Sequence, residues 1–246
     1  MLQQCRKEWI QYVKQFDLKE KRLLEQFHHT FRVMEYSMEI ARALHLKEEE
    51  IELIGVMGLL HDIGRFEQWT RYQTYHDQYS MDHGELGAQI LTKIDFLSSF
   101  VSNIEVKNLI LKVVQNHHKR VIDFMSGREL LYVQIIQDAD KLDILKEQGN
   151  QITTDSPILN EQLIQSIRMH ELCKDTEMKD ADEDYILRSL AFVFDIHFDY
   201  TLQYLKETEI IENKIKLLEI YFPENAKIQE IRRILIDYIE KRLNIC

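Results

Sequence analysis

The scarcity of helix-breaking residues constrains this chain more than any other feature of its sequence. Only two prolines and seven glycines occur among 246 residues; inside a helix, glycine costs about 1 kcal/mol and proline about 3 kcal/mol relative to alanine. Apolar residues recur mostly at intervals of three and four, which is the period of one helix face, rather than at the interval of two typical of strands. The sequence therefore predicts an all-α fold with breaks at Pro157 and Pro223.

Two stretches lack the helical pattern. The first runs from Gly64 to Gly84; a connection of this length is more often functional than idle, so we predict a lid here, with Gly64 as the C-cap of the preceding helix. The second runs from 153 to 160 and contains a Ser-Pro turn signal. The predicted helices cover 6–16, 19–44, 48–63, 85–96, 104–118, 129–147, 160–172 and 183–208, followed by one on either side of Pro223.

The second interruption predicts a division into two parts. Residues 1–152 would form a core that carries the site, and residues 153–246 would form a C-terminal helical extension packing on it. The apolar run from Leu190 to Phe198 predicts either a core helix of this extension or a self-association face, and the second interpretation implies a homo-oligomer.

Composition limits the classes of partner and the compartment. Apolar residues make up 45% of the chain, enough for a large core. The N-terminus is charged where a signal peptide is apolar, and no window is apolar enough to span a membrane, so we predict a cytoplasmic protein without a membrane partner. The three cysteines are widely spaced and form no CxxC pair, which favours reduced thiols.

The net charge of −11, from 42 acidic and 31 basic residues, argues against a nonspecific nucleic-acid groove. Small anionic substrates remain compatible with this charge, because bound metal ions reverse the sign of the local field.

The dipeptide His61-Asp62 closes an almost wholly apolar run from Ile51 to Leu60. Burying an imidazole and a carboxylate without partners would be costly. A divalent metal ion removes that penalty, because it binds a neutral histidine nitrogen and an ionised aspartate oxygen. The sequence therefore predicts a metal site at the end of this helix.

Further candidate ligands occur in a fixed order along the chain. Glu25, His29 and Arg32 are spaced by four and three, so they share one face of a predicted helix. The later sequence motifs are His61-Asp62-Ile63-Gly64-Arg65, His83-Gly84-Glu85-Leu86-Gly87-Ala88, Asn116-His117-His118-Lys119-Arg120 and Asp138-Ala139-Asp140-Lys141-Leu142-Asp143.

In these residues the chain resembles the HD-domain superfamily of metal-dependent phosphohydrolases. The pattern of that superfamily is a histidine, then His-Asp on a central helix, then a distant aspartate in an Ala-Asp-Lys-Leu context, here His29, His61-Asp62 and Asp140. The resemblance covers residues 25–143. It implies an all-α, HD-domain-like helical bundle with additional C-terminal helices, in which residues 1–152 are the metal-binding catalytic core.

His83 and the pair His117-His118 resemble the added ligands of the multinuclear branch that includes the HD-GYP phosphodiesterases. Glu25, four residues before the first histidine, also fits that branch. The chain departs from it after His118, where Lys119-Arg120-Val121 stands and no Gly-Tyr-Pro motif follows. This departure argues against cyclic di-GMP as the substrate.

The resemblance implies two divalent metal ions per chain, with Asp62 as the bridging ligand. The donors are nitrogen and oxygen, so manganese or iron is favoured, while zinc, cobalt, nickel and magnesium stay open. Glu25 and His118 are additional candidate ligands. For His118 we favour a role in contact with the ligating side chains rather than with the metal ions. The predicted metal ligands are His29, His61, Asp62, His83, His117 and Asp140.

Two metal ions at such a site suit phosphoester hydrolysis, in which they clamp the attacking and the phosphoryl oxygens. We predict catalytic roles for Asp62, Arg65 and Lys141, the two cations neutralising charge on the phosphoryl group. Asp138 and Asp143 are candidates to orient the ligating histidines.

Three functional hypotheses follow. The first is a metal-dependent phosphomonoesterase or phosphodiesterase that acts on a small phosphorylated or nucleotide substrate. The second is a diiron oxygenase with the same ligands, which O₂ consumption would distinguish. The third is a catalytically silent, nucleotide-binding regulatory module, against which the intact ligand set argues.

Overall fold

A computed structural model of the chain describes residues 1–122, 124–146, 157–173 and 182–244. These ranges are helical and contain no strand, which confirms the all-α prediction. None of the described helices is long and apolar enough to cross a membrane.

The chain divides into two compact units, Met1–Asp140 and Lys141–Cys246. The boundary predicted at residues 152 and 153 lies outside the described residues. The helices that begin in the first unit are α1 (Leu2–Val13), α2 (Lys21–Ala43), α3 (Glu48–Leu60), α4 (Ile63–Tyr72), α5 (His83–Lys93), α6 (Ile104–Asn116) and α7 (Gly127–Lys146). Those of the second unit are α8 (Glu161–Arg168), α9 (Asp182–Ala191), α10 (Asp199–Glu207), α11 (Ile210–Tyr221) and α12 (Ala226–Leu243).

The helical hairpin of α2 and α3 organises the core of the first unit. Because a short connection joins the two helices, they run antiparallel, and His29 and His61 lie at similar distances from the turn. Gly58 lets the helices approach closely, since an added Cβ atom would lie 2.9 Å from the Cα of Met34. The hairpin therefore brings both histidines to the same end of the unit.

The predicted lid from Gly64 to Gly84 is wrong over its first half, because α4 occupies Ile63–Tyr72. Phe66 on this helix is fully buried, with its ring centroid 5.7 Å from that of Trp9 and 5.6 Å from that of Phe16. Aromatic packing therefore stabilises this ten-residue helix, whose apolar residues recur at intervals of three. Only residues 73–82 are largely irregular, with a single 3₁₀ turn at Asp77–Tyr79.

Gly64 lies inside α4 and is not the C-cap of the preceding helix. An added Cβ atom at Gly64 would overlap the backbone oxygen of His83 and lie 2.8 Å from the backbone nitrogen of Gly87. The α4 helix ends instead at Gln73, which adopts a left-handed conformation with φ of 53°. Glycine at position 64 thus allows α4 and α5 to pack closely, and it does not form a turn.

The single helix predicted over 183–208 is also wrong, because a 3₁₀ turn at Phe192–Asp195 separates α9 from α10. The run of aromatic and β-branched residues at this turn has low helix propensity, and Asp199 in the first turn favours a new helix start. Leu190, Val193 and Ile196 are buried in the second unit, so this apolar run contributes to a core.

We predict that Gly64→Ala destabilises the protein, because the methyl group meets backbone atoms that cannot move independently of α5. The free energy of unfolding should fall by about 1–3 kcal/mol, as measured by urea denaturation. The matched control is Gly87→Ala, whose added atom would meet side-chain methyl groups of Val114 at 3.1 Å and Ile63 at 3.3 Å. An equal loss in both variants would contradict the close backbone contact at Gly64.

Candidate metal centre

The candidate ligands of the first unit come from different helix positions. His29 lies within α2, His61 follows the last residue of α3, and Asp62 is the N-cap of α4. His83 opens α5 and His117 follows α6. Asp140 lies on α7.

Helix packing brings His83 and His117 together. At Gly84, an added Cβ atom would lie 2.8 Å from the backbone oxygen of Gln115, so the start of α5 lies directly against the end of α6. As a result, His83 Nε2 lies 3.2 Å from His117 Nε2. On the other side of the site, His29 Nε2 lies 3.2 Å from Asp140 Oδ1, and His61 Nε2 lies 4.0 Å from the same oxygen.

The Asp62 carboxylate lies between these two groups and presents a different oxygen to each. Its Oδ2 atom is 3.7 Å from His29 Nε2 and 3.6 Å from His61 Nε2. Its Oδ1 atom is 3.4 Å from the Nε2 atoms of both His83 and His117. Asp62 thus contacts both groups of histidines, one through each oxygen.

Helix geometry determines which nitrogen of two histidines faces Asp62. His61 donates its Nδ1–H to the backbone oxygen of Gly58, and His117 donates its Nδ1–H to the backbone oxygen of Val114, each at 2.8 Å. Both acceptors belong to the last turn of a helix, where carbonyl groups lack intrahelical partners. A carbonyl can only accept, so the lone pair of each neutral imidazole lies on Nε2 and points into the site.

The electrostatics of the site favour neutral imidazoles and ionised carboxylates. Burial lowers the pKa of His61 to about 4, and burial together with the nearby Arg65 lowers the pKa of His83 to about 3. Burial acts to raise the pKa of Asp140, but the hydrogen bond from His29 together with the nearby charges of His29 and His61 outweighs it and brings the pKa to about 2. These are the protonation states that metal binding requires.

Unpaired acceptors show that the site fits a cation. Within the described part of the chain, His61 Nε2 and Asp62 Oδ1 are buried and have no hydrogen-bond partner. Around Asp62 Oδ1, His83 Nε2 and His117 Nε2 lie 3.2 Å apart, and with the proton of each ring on Nδ1 their two lone pairs face each other. Such an arrangement is unfavourable without a positive charge, and a divalent ion bound by these nitrogen and oxygen atoms would supply it.

Two residues hold Asp62 in place, and sequence reasoning missed one of them, Gln26. Gln26 donates from Nε2 to Asp62 Oδ2 at 2.9 Å, and it lies one turn before His29, on the same helix. Arg65, which the sequence did predict near the site, places its Nε 3.6 Å from Asp62 Oδ1. Although burial acts to raise the pKa of Asp62, His61 and Arg65 hold it well below its usual range. Gln26 lies three residues before His29, on the same helix face, so helix periodicity could have identified Gln26 as a site residue.

The segment from 73 to 82 supplies a second missed residue, Asp77. Its Oδ2 atom accepts the Nδ1–H of His83 at 2.7 Å. On the opposite side, Asp77 Oδ1 accepts from Gln68 Nε2 at 2.8 Å and lies 3.3 Å from Arg65 Nη1. No regular spacing relates Asp77 to His83, so periodicity could not have identified this pair. Asp138 and Asp143, predicted to orient the histidines, are both buried, and their predicted role stays a prediction.

Glu25, His118 and Lys141 were also predicted as site residues, and each has its own set of contacts. The Glu25 carboxylate is 3.6 Å from Lys21 Nζ and its side chain is 41% exposed. His118 donates from Nε2 to Asp82 Oδ2 at 3.0 Å and lies beside His83, with 4.2 Å between ring centroids. Lys141 Nζ lies 2.6 Å from Asp195 Oδ2 and donates to the backbone oxygen of Asp195. The structure thus groups His118, but not Glu25, with the candidate ligands.

Comparison with known proteins gives the family of the segment that contains His29, His61, Asp62 and Asp140. The family model of the HD domain matches residues 27–145, a range that includes these four residues. This part of the chain is an HD domain. HD domains belong to a superfamily of metal-dependent hydrolases, which confirms the resemblance found in the sequence at that level.

The chain also has a distant relative. Over 70 residues the chain is 37% identical to Uncharacterized protein MJ0778 of Methanocaldococcus jannaschii, in an alignment that covers 28% of this chain and 36% of that protein. The chain therefore spans about a third of the length of this relative. No solved structure matches the chain.

We predict that divalent metal ions stabilise the HD domain. Mn²⁺ at about 100 times its dissociation constant should raise the free energy of unfolding by about 2.7 kcal/mol for each ion bound, because the ion binds the folded site alone. The measurement is thermal unfolding of chelator-treated protein with and without Mn²⁺. Asp62→Ala should remove the increase, and EDTA should reverse it in the wild-type chain. Identical melting temperatures with and without Mn²⁺ would show that the site does not bind this ion.

Proposed function

We propose that the HD domain is a binuclear metal-dependent phosphohydrolase that cleaves a phosphoester of a small phosphorylated or nucleotide substrate. The observation that carries this proposal is the position of Asp62. One oxygen faces His29 and His61, and the other faces His83 and His117. A carboxylate with ligand groups on both sides is suited to bridging two metal ions.

The distances around each oxygen support two ion positions. His83 Nε2, His117 Nε2 and Asp62 Oδ1 are separated by 3.2 to 3.4 Å, close enough for all three atoms to contact one first-row ion at about 2 Å. On the other side, His29, His61 and Asp140 offer donor atoms that all lie within 4.8 Å of one another. No thiolate belongs to either group, which favours manganese or iron.

Divalent ions bound there would supply the Lewis-acid chemistry of phosphoester hydrolysis, by polarising a phosphoryl oxygen and activating water. The charges of the ligating residues determine which substrates the loaded site attracts. Asp62 and Asp140 carry two negative charges against four on two divalent ions, so the loaded site is positive and attracts an anionic phosphoryl group. This charge balance favours a phosphorylated substrate in a chain whose net charge is −11.

Arg65 adds a fixed cation beside Asp62. Its Nη1 atom donates to the backbone oxygen of Tyr75 at 2.7 Å and to Gln68 Oε1 at 2.9 Å, and its guanidinium lies 5.5 Å from the centre of the Tyr75 ring. These contacts hold the guanidinium in one orientation before substrate binds. A charge that needs no reorganisation is effective in stabilising a developing negative charge.

The test compares two adjacent histidines of α2. His29→Gln and Asp62→Ala should reduce metal content and abolish release of phosphate from a panel of phosphomonoesters, phosphodiesters and nucleotides assayed with Mn²⁺ or Fe²⁺. His28→Gln is the matched control, because His28 is exposed and absent from the candidate ligand groups. It should keep about two ions per chain and full turnover.

Metal content by plasma mass spectrometry and phosphate release together decide the proposal. Unchanged hydrolysis in Asp62→Ala would contradict it, and so would a wild-type chain with one ion or none. O₂ consumption by the iron-loaded wild-type chain without phosphate release would favour the oxygenase hypothesis instead.

A further inference from the structure

The histidines around Asp62 Oδ1 are oriented in two different ways. His117 follows α6 and donates its Nδ1–H to the backbone oxygen of Val114, an acceptor that every helix end provides. His83 is the first residue of α5. At a helix start the unpaired backbone groups are N–H donors, so His83 has no local carbonyl that can accept its Nδ1–H.

Asp77 supplies the acceptor that the start of α5 lacks. Its Oδ2 atom is 2.7 Å from His83 Nδ1. A second imidazole is close by, since His118 Nε2 lies 4.0 Å from the same oxygen, but His118 bonds to Asp82 at 3.0 Å. The two carboxylates of this segment therefore serve two different histidines.

The segment that carries Asp77 is fastened to α4 through Gln68, whose side chain is fully buried. Gln68 Nε2 lies within hydrogen-bond distance of Asp77 Oδ1, of Ser80 Oγ at 2.9 Å and of the Met81 backbone oxygen at 2.9 Å. Arg65 Nη1 contacts Asp77 from the same helix. Because Gln68 and Arg65 both donate to Asp77, its carboxylate is pre-positioned to receive the His83 proton.

We propose that Asp77 is a positioning residue that keeps the proton of His83 on Nδ1 and so directs the Nε2 lone pair toward Asp62 Oδ1. The proposal rests on the binuclear function above and deepens it. The ion on the His83 and His117 side depends on a carboxylate from residues 73–82, whereas His61 and His117 are oriented by backbone carbonyls of their own helices. Loss of Asp77 therefore weakens one ion site and spares the other.

The first test uses metal-free protein labelled with ¹⁵N-histidine, in which long-range ¹H–¹⁵N spectra report which ring nitrogen carries the proton. His83→Gln assigns the signals. In the wild-type chain, His83 should show a hydrogen-bonded Nδ1 proton. Asp77→Ala should lose this signal and give averaged nitrogen shifts, and Asp77→Asn, whose amide oxygen can still accept, should be intermediate. A His83 signal unchanged in Asp77→Ala would overturn the proposal.

The second test measures Mn²⁺ bound per chain by equilibrium dialysis. At concentrations that just saturate the wild-type chain, Asp77→Ala should hold about one ion, with affinity at the other site reduced about 10–100-fold. The matched control is Asp82→Asn, which removes a neighbouring charge but keeps a side chain able to cap α5. It should leave the His83 signal and both ions in place.

The possible negative results distinguish the binuclear function from the positioning role of Asp77. A wild-type chain that never binds two ions refutes the binuclear function, and the His83 proton signal in metal-free protein then decides the positioning role by itself. A wild-type chain with two ions, together with an Asp77→Ala variant that loses both or neither, refutes the role of Asp77. The same conclusion follows if Asp82→Asn loses an ion as Asp77→Ala does.

Discussion

The buried carboxylate of Asp62 is the group on which the rest of the site depends. It lies against four imidazoles, its Oδ1 atom has no hydrogen-bond partner, and only Gln26 donates a hydrogen bond to its Oδ2 atom among the contacts of the described residues. An ionised group in such surroundings is unstable unless positive charge lies nearby. Arg65 provides one positive charge at 3.6 Å. Bound metal ions would provide the remainder, and metal binding would then stabilise this end of the unit.

The ends of helices determine how the surrounding histidines present their lone pairs. His61 and His117 each follow the last residue of a helix and find a free carbonyl three residues earlier, so helix formation alone orients them. His83 stands at a helix start, where such acceptors are lacking, and takes a carboxylate from residues 73–82 instead. A backbone acceptor does not depend on the identity of any side chain. A side-chain acceptor does, so a substitution of Asp77 can alter the half of the site that contains His83.

Sequence periodicity predicted most helices of the structure and failed where packing outweighed local preference. The α4 helix was missed because it is only ten residues long and follows a break at Asp62, although its apolar residues recur at intervals of three. The contact of Phe66 with Trp9 and Phe16, which are distant in sequence, stabilises it. The 3₁₀ turn at Phe192–Asp195 was missed for the opposite reason, since apolar spacing continues through it while the backbone does not.

The sequence by itself determined the helical class, the nitrogen and oxygen character of the ligands, and the HD-domain resemblance, because these depend on residue types and on spacings within short segments. Only the tertiary structure decided that the two oxygens of Asp62 face different histidines, that Gln26 holds this carboxylate, and that Asp77 accepts the proton of His83. Each of these contacts joins separate elements, and its geometry follows from close helix packing such as that at Gly64 and Gly84. Hydrogen bonds across such contacts leave no periodic trace in a single sequence.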